Sequence, residues 1–180
     1  MNKIKHLPLK HLVVQRAPGK TPSNGILYAE NHVFPCLLGK NGITTRKVEG
    51  DMKTPAGQFR LLGGYYRKNR IGFIQSGLEL AAIKPDMGWC DAPDSANYNR
   101  AVKLPFCGSH ERLMREDSLY DIVIVMDHNY HRRIKGRGSA VFFHLTAEKN
   151  HTAGCVGISR DAMLKLLPRL STQTIMTIKP

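Results

Sequence analysis

Apolar residues in this chain come in short, β-branched runs set off by turn residues, the pattern of half-buried strands rather than of helices. Residues 11–15 (HLVVQ) form the first run. Residues 25–29 and 32–38 form two more, joined at Glu30-Asn31 as a hairpin. Residues 58–62 follow the turn signal Pro55-Ala56-Gly57. Residues 121–126 (DIVIVM) have the least interrupted apolar character, as a central strand does. Residues 140–145 (AVFFHL) and 174–178 complete the set. One segment has helical spacing instead: Met163, Leu166, Leu167 and Leu170 recur at i, i+3, i+4 and i+7. Ser159 stands where it can cap that helix, Asp161 falls in its first turn, and Pro168 ends or kinks it.

Residues 84–117 interrupt this regularity. They hold Pro85, Gly88, Pro93, Pro105 and Gly108 among polar residues, and are expected to form a long loop region with a short helix over 110–115. Long structured loops on a β scaffold commonly carry function. No repeat, low-complexity tract or linker divides the chain, so residues 1–180 are expected to fold as one mostly-β domain.

Composition changes this picture in one respect. The 42% hydrophobic and 23% charged content is ordinary and excludes a disordered chain or a disulfide-dense miniprotein. The charge is not ordinary: 27 Lys and Arg against 14 Asp and Glu leave +13, which asks for an anionic partner. Tyr65-Tyr66-Arg67-Lys68-Asn69-Arg70 mixes aromatics with cations as single-strand nucleic-acid binders do, so a basic nucleic-acid-binding module is one reading. Against it, no recognised binding motif is present and the charges are scattered from Lys3 to Lys179. No apolar run reaches the roughly 18 residues of a membrane span. The stretch MNKIKHLPLKHLVVQRAPGK is basic, but Lys10 and His11 interrupt any apolar core and no small-residue cleavage site follows, so it does not read as a Sec-type signal.

Candidate chemistry centres on one cysteine. Cys36, Cys90, Cys107 and Cys155 are spaced widely, with no CxxC pair; on count alone two disulfides are possible. Cys155 differs in context, lying in Thr152-Ala153-Gly154-Cys155-Val156-Gly157-Ile158-Ser159. Gly154 permits a tight bend beside the thiol, and Gly157 keeps bulk away. The helix expected just after it would favour the thiolate. Amides in such a turn can converge as an oxyanion hole. A nucleophilic cysteine needs a rigidly held base. His144, inside an expected strand, is the best candidate, with His151 as competitor on a polar loop. A zinc site from His128, His131, His144, His151 and Cys155 is the alternative, but the spacing fits no standard pattern, and no metal or cofactor is expected.

Three blocks in order give these residues a resemblance. Gly138-Ser139-Ala140-Val141-Phe142-Phe143-His144 followed by Thr152-Ala153-Gly154-Cys155-Val156 resembles the L,D-transpeptidase catalytic domain, the YkuD-like family. Glu49-Gly50-Asp51-Met52-Lys53-Thr54-Pro55-Ala56-Gly57-Gln58-Phe59 resembles its G-x-x-x-T-P-x-G-x-F block. Trp89-Cys90-Asp91-Ala92-Pro93-Asp94-Ser95-Ala96-Asn97-Tyr98-Asn99 resembles the W-x-D-D-P-x-S-x-x-Y-N block of one bacterial branch. The resemblance implies a β-sandwich-like fold and a cysteine-dependent enzyme that cross-links peptidoglycan stem peptides. It implies Cys155 as nucleophile, His144 as base, Gly154 and Cys155 amides as oxyanion hole, and Thr152 as loop support. Trp89, Asp91, Tyr98 and Asn99 are the expected substrate-binding residues. A carbapenem adduct at Cys155 and a periplasmic or cell-envelope location follow from the same resemblance, and no nucleic-acid partner does. Water in place of an acceptor amine would make the enzyme an L,D-carboxypeptidase. The chain departs from many members in carrying Gly157 where they have Arg, Ala153 where they have His, and a shorter gap between His144 and Cys155.

Overall fold

The computed structural model describes residues 7–147 and 150–180. The first six residues of the N-terminal stretch read for an export signal lie outside them. The elements run β1 (His11–Arg16), β2 (Asn24–Ala29), β3 (His32–Leu37), β4 (Ile43–Thr44), β5 (Thr54–Pro55), β6 (Gly57–Tyr66), α1 (Lys68–Ile71), β7 (Leu80–Ala82), β8 (Met87–Cys90), β9 (Arg100–Lys103), β10 (His110–Arg112), β11 (Ile122–Met126), β12 (Phe142–Leu145), β13 (Val156–Ile158), α2 (Arg160–Leu166), a 3-10 turn (Leu167–Arg169) and β14 (Ile175–Ile178). This is the mostly-β domain expected from the apolar pattern.

The main sheet follows the order β11-β12-β13-β3-β2-β1-β14-β6-β7, and β6 also pairs with β11, so the sheet closes on itself. The ten-residue β6 makes closure possible. Its first half pairs with β14 and its second half with β11. Gly64 lies where the β6 and β11 backbones meet: a Cβ there would stand 2.1 Å from the Val123 carbonyl oxygen.

Strand alternation gives this ring two unlike faces. Ile122, Ile124 and Met126 of β11 and Phe143 and Leu145 of β12 enter the main core, which α2 completes with Ala162, Met163 and Leu166. Ser159 caps α2 by accepting the Ala162 N–H at 3.3 Å, and the 3-10 turn at Pro168 ends it, as expected. Val123, Val125 and Phe142 face the other way, into a second apolar cluster with Trp89, Leu113, Tyr120 and Cys155.

That second cluster corrects the reading of residues 84–117. They are not mainly loop: β8 pairs with both β9 and β10 in a small sheet laid over the outer face of β11 and β12. The helix expected over 110–115 is instead strand β10, with Glu111 opposite Trp89. Its pairing with β8 supplies backbone hydrogen bonds that an isolated helix of that length could not match. The aromatic and basic segment 65–70 is not an open stacking platform either. Tyr65 and Tyr66 pack against the two clusters, Arg67 is buried and donates to the Arg115 carbonyl, and Arg70 pairs with Asp121. No helix among the described residues is long and apolar enough to cross a membrane.

Candidate active site

β12 lies between β11 and β13, with His144 opposite Val123 on one side and Gly157 on the other. The alternation that sends Phe143 and Leu145 inward turns Phe142 and His144 to the other face, where Phe142 packs with Cys155 and His144 lines the same cavity as Cys155. His144 is 3% exposed, and the Tyr120 ring meets it edge-on at 5.4 Å. Its Nδ1 lies 2.7 Å from the Leu145 carbonyl oxygen. A carbonyl only accepts, so this contact assigns the proton to Nδ1 and leaves Nε2 as a bare acceptor, the form a base requires.

Cys155 sits at the entrance to β13 and is 7% exposed. Its thiol donates to the Ala140 carbonyl at 3.2 Å and accepts the Phe142 N–H at 3.3 Å. The helix begins at Arg160 behind its expected cap Ser159, but strand β13 over residues 156–158 stands between it and Cys155. The helix dipole therefore does not favour its thiolate. Burial instead pushes the Cys155 thiol up to about 12, with Phe142 N–H and Lys47 acting in the opposite direction and Glu111 reinforcing it. Burial also pushes His144 down to about 4. At neutral pH both groups rest uncharged.

Two threonines hold the cysteine backbone. Thr152 Oγ1 donates to the Cys155 carbonyl at 2.8 Å and accepts the Gly154 N–H at 3.1 Å. Thr54 Oγ1 reaches the same carbonyl at 3.3 Å and accepts the Gly39 N–H at 2.8 Å. Thr54 comes from the Thr-Pro block, which the sequence singled out without assigning it this task. Gly154 has φ +145°, and a Cβ would stand 2.9 Å from the Lys53 carbonyl oxygen, so the bend requires glycine. Because its N–H is turned to Thr152, Gly154 is not free to meet an oxyanion as expected. Among the described residues, the Cys155 N–H has no hydrogen-bond partner.

The four loop residues expected to meet substrate divide. Asp91 lines the cavity that also contains Cys155 and His144, of about 330 Å³, and its buried Oδ1 has no hydrogen-bond partner. Trp89, Tyr98 and Asn99 are buried behind the wall. Trp89 packs edge-on against Phe142 at 5.2 Å and donates its Nε1–H to Asn99 Oδ1 at 3.0 Å. The same Oδ1 accepts the Ala140 N–H at 3.1 Å, and Asn99 Nδ2 donates to the His128 carbonyl at 3.1 Å. Tyr98 donates its hydroxyl to Glu49, which also accepts from Ser139 Oγ at 2.8 Å. These three residues therefore fix Ala140 and its neighbours rather than offering groups to solvent. An apolar indole and a primary amide satisfy one another when a protein closes over them.

Several cavity residues had no distinguishing sequence signal. Lys47 is buried and pairs with Asp51 at 2.5 Å. Arg115 binds both Asp117 oxygens at 2.8 Å and lies over the Tyr120 ring. Glu111 accepts from the Tyr120 hydroxyl at 3.3 Å. His151 stands in the cavity wall with Nδ1 2.8 Å from Asn150 Oδ1. Of the histidines and Cys155 considered as zinc ligands, His144, His151 and Cys155 share the cavity wall, but no group of three or more His, Cys, Asp or Glu suited to a metal occurs among the described residues. All four cysteines are unpaired, and only Cys107 is exposed.

Compared with known protein families, residues 22–178 match the L,D-transpeptidase catalytic domain (YkuD). No curated protein and no solved structure matches the chain.

Proposed function

Because the chain belongs to the L,D-transpeptidase catalytic domain family, whose members act on peptidoglycan stem peptides, we propose that it forms stem-peptide cross-links through a thioester on Cys155. The observation that carries this reading is the paired orientation around Ala140 and Leu145. The thiol is held on one carbonyl, while the other fixes the imidazole tautomer whose Nε2 can take the thiol proton.

Both groups start neutral, so the proton leaves Sγ for Nε2 of His144 as sulfur attacks the carbonyl carbon next to diaminopimelate. The Cys155 N–H faces the developing oxyanion, an interaction of roughly 3–4 kcal/mol in the transition state. The tetrahedral intermediate collapses, its C–N bond breaks, and His144 returns the proton to the departing D-amino acid. An acceptor amine then attacks the thioester, gives its proton to Nε2, and forms the new amide as Cys155 is released as a thiol. The unpartnered oxygen of Asp91 is available to a cationic group of the substrate. The substrate places the enzyme in the cell envelope, where its +13 charge would concentrate it near anionic wall polymer.

The test is incubation of tetrapeptide muropeptides with wild-type and Cys155→Ala protein, read by mass spectrometry. Cross-linked dimers from wild type alone support the reading. Trimmed monomers without dimers would make the enzyme an L,D-carboxypeptidase, and dimers from Cys155→Ala would reject the mechanism.

A further inference from the structure

A second cavity, of about 510 Å³, opens between the β4–β5 ribbon and the 127–141 connection from β11 to β12. Lys47 lines both this groove and the Cys155 cavity, so the two adjoin at its side chain. The groove carries Arg132 and Arg137, with His128, His131 and the Asp51-paired Lys47 beside them, against the single acid Asp127. Asp127 Oδ1 already accepts the Arg60 N–H at 2.9 Å. Arg132 and Arg137 are exposed and make no ion pair among the described residues.

The loop that presents these cations is fixed from within. Asn129 Nδ2 donates to the Ile134 and Gly138 carbonyls, each at 3.0 Å, and Asn129 Oδ1 accepts the Ile134 N–H at 2.8 Å. His128 Nε2 bonds the Arg137 carbonyl at 2.9 Å. At Gly138 a Cβ would stand 2.8 Å from Lys47 Cγ, so the loop lies directly on the lysine shared by the two cavities. A cationic surface on a loop already ordered loses less entropy when it binds an anion.

The two cavities differ in charge balance. The Cys155 cavity mixes both signs, with Glu49, Asp91 and Glu111 beside Lys47 and Arg115, whereas the groove offers the guanidinium groups of Arg132 and Arg137, unpaired among the described residues, against the single acid Asp127. We propose that the groove is the acceptor subsite: it binds the carboxylates of the incoming peptide through Arg132 and Arg137, and so directs the peptide's amine across Lys47 to the Cys155 thioester. This rests on the acyl-transfer reading above and adds to it which face receives the second peptide and by what chemistry. Guanidinium forks match carboxylates in geometry. An acceptor that carries an amine at one end and carboxylates at the other is oriented amine-first when Arg132 and Arg137 hold its carboxylates in the groove. Both arginines are exposed, so salt weakens the interaction.

The test uses the full chain and the Arg132→Ala/Arg137→Ala variant, with Arg133→Ala as a control from the same loop. Acylation of Cys155 by a carbapenem, followed by intact mass, reports the first half-reaction. Transfer to a diaminopimelate tetrapeptide, and to the same peptide with its carboxyls amidated, reports the second. The double variant is expected to raise the acceptor KM about tenfold or more for the free-acid peptide. Its KM for the amidated peptide and its kcat should change little, and high salt should reproduce the defect in wild type. An unchanged KM, or an equal loss for both peptides, overturns the proposal. Salt-dependent DNA retention lost in the variant with acceptor KM unchanged would assign the groove to nucleic acid and also overturn it. If wild-type Cys155 accepts no acyl group, the underlying acyl-transfer reading fails and the subsite falls with it. Acylation that succeeds alongside an indifferent double variant rejects the subsite alone.

Discussion

Asn99 offers the most searching test of how the thiol is held. Its side chain makes three hydrogen bonds while 2% exposed, to Trp89 Nε1, the Ala140 N–H and the His128 carbonyl. Ala140 has φ +49°, uncommon for alanine, and its carbonyl is the acceptor for the Cys155 thiol. Asn99→Ala leaves two buried donors and one acceptor without partners. At roughly 1–3 kcal/mol for each orphan, eased where water fills the vacated space, the loss is about 3–5 kcal/mol. Asn99 itself has φ +56°, so alanine adds about 1 kcal/mol of backbone strain. Typical domains have only about 5–15 kcal/mol in total, so the variant should fold with a markedly lower Tm. At a temperature where it remains folded, carbapenem acylation of Cys155 should slow by about tenfold or more, the effect of losing a little over 1 kcal/mol of positioning. Asn99→Asp keeps the oxygen that holds Ala140 and should recover part of that rate. A folded Asn99→Ala protein that acylates at the wild-type rate would refute the link from Asn99 through Ala140 to the thiol.

Other consequences follow from the same contacts. His144, held at about 4, binds fewer protons when folded than when unfolded between pH 4 and about 6.5. Its contribution to stability is therefore present above about pH 6.5 and lost as pH falls toward 4, by about 3 kcal/mol, and urea titrations should show that slope flattened in His144→Gln. Cys155, held up to about 12, should resist iodoacetamide at pH 8 while exposed Cys107 reacts, as peptide mapping would show; rapid labelling of Cys155 would contradict a neutral resting thiol. Thr54→Val removes the partner of the buried Gly39 N–H and should lower stability by about 1–3 kcal/mol in denaturant unfolding; no loss would mean that this hydrogen bond contributes nothing net. Gly154→Ala places a methyl against the Lys53 carbonyl in a strained φ and should abolish acylation, an outcome that full activity would reject.

Seven strands of the ring, β1, β2, β3, β6, β11, β12 and β14, were legible because each alternates or runs apolar over four or more residues, as in residues 121–126, and because a turn signal bounds it; three-residue β7 was not. β13 was missed because three residues after Cys155 carry no period, and only pairing with β12 and β3 makes them a strand. β13 also separates the thiol from the helix: Cys155 lies four residues before the expected cap Ser159, beyond the first turn over which a helix dipole acts. The small sheet over the site was hidden for a related reason. β8, β9 and β10 have three or four residues each among prolines and glycines; β8 packs on Phe142 and Val123 through Trp89, and β9 and β10 are held by pairing with it. Cys155 and His144 stood out as residue types in a telling context, and the structure places both on one cavity. Trp89, Tyr98 and Asn99 stood out equally, yet they are buried, because an aromatic or amide side chain serves a wall as readily as a surface. Arg132 and Arg137 could not be distinguished in sequence from the other cations of a chain with 27 Lys and Arg.

The central claim is that Cys155 alone takes the acyl group and that His144 Nε2 removes its proton. Peptide mapping of the protein trapped with a carbapenem tests this directly in wild type and His144→Gln. One drug mass on the peptide containing Cys155 in wild type, with a rate at least a hundredfold lower in His144→Gln, is the expected result, within the range for loss of a general base of roughly 100- to 10,000-fold. An adduct on Cys36, Cys90 or Cys107, or acylation of Cys155 that is indifferent to His144, would contradict it.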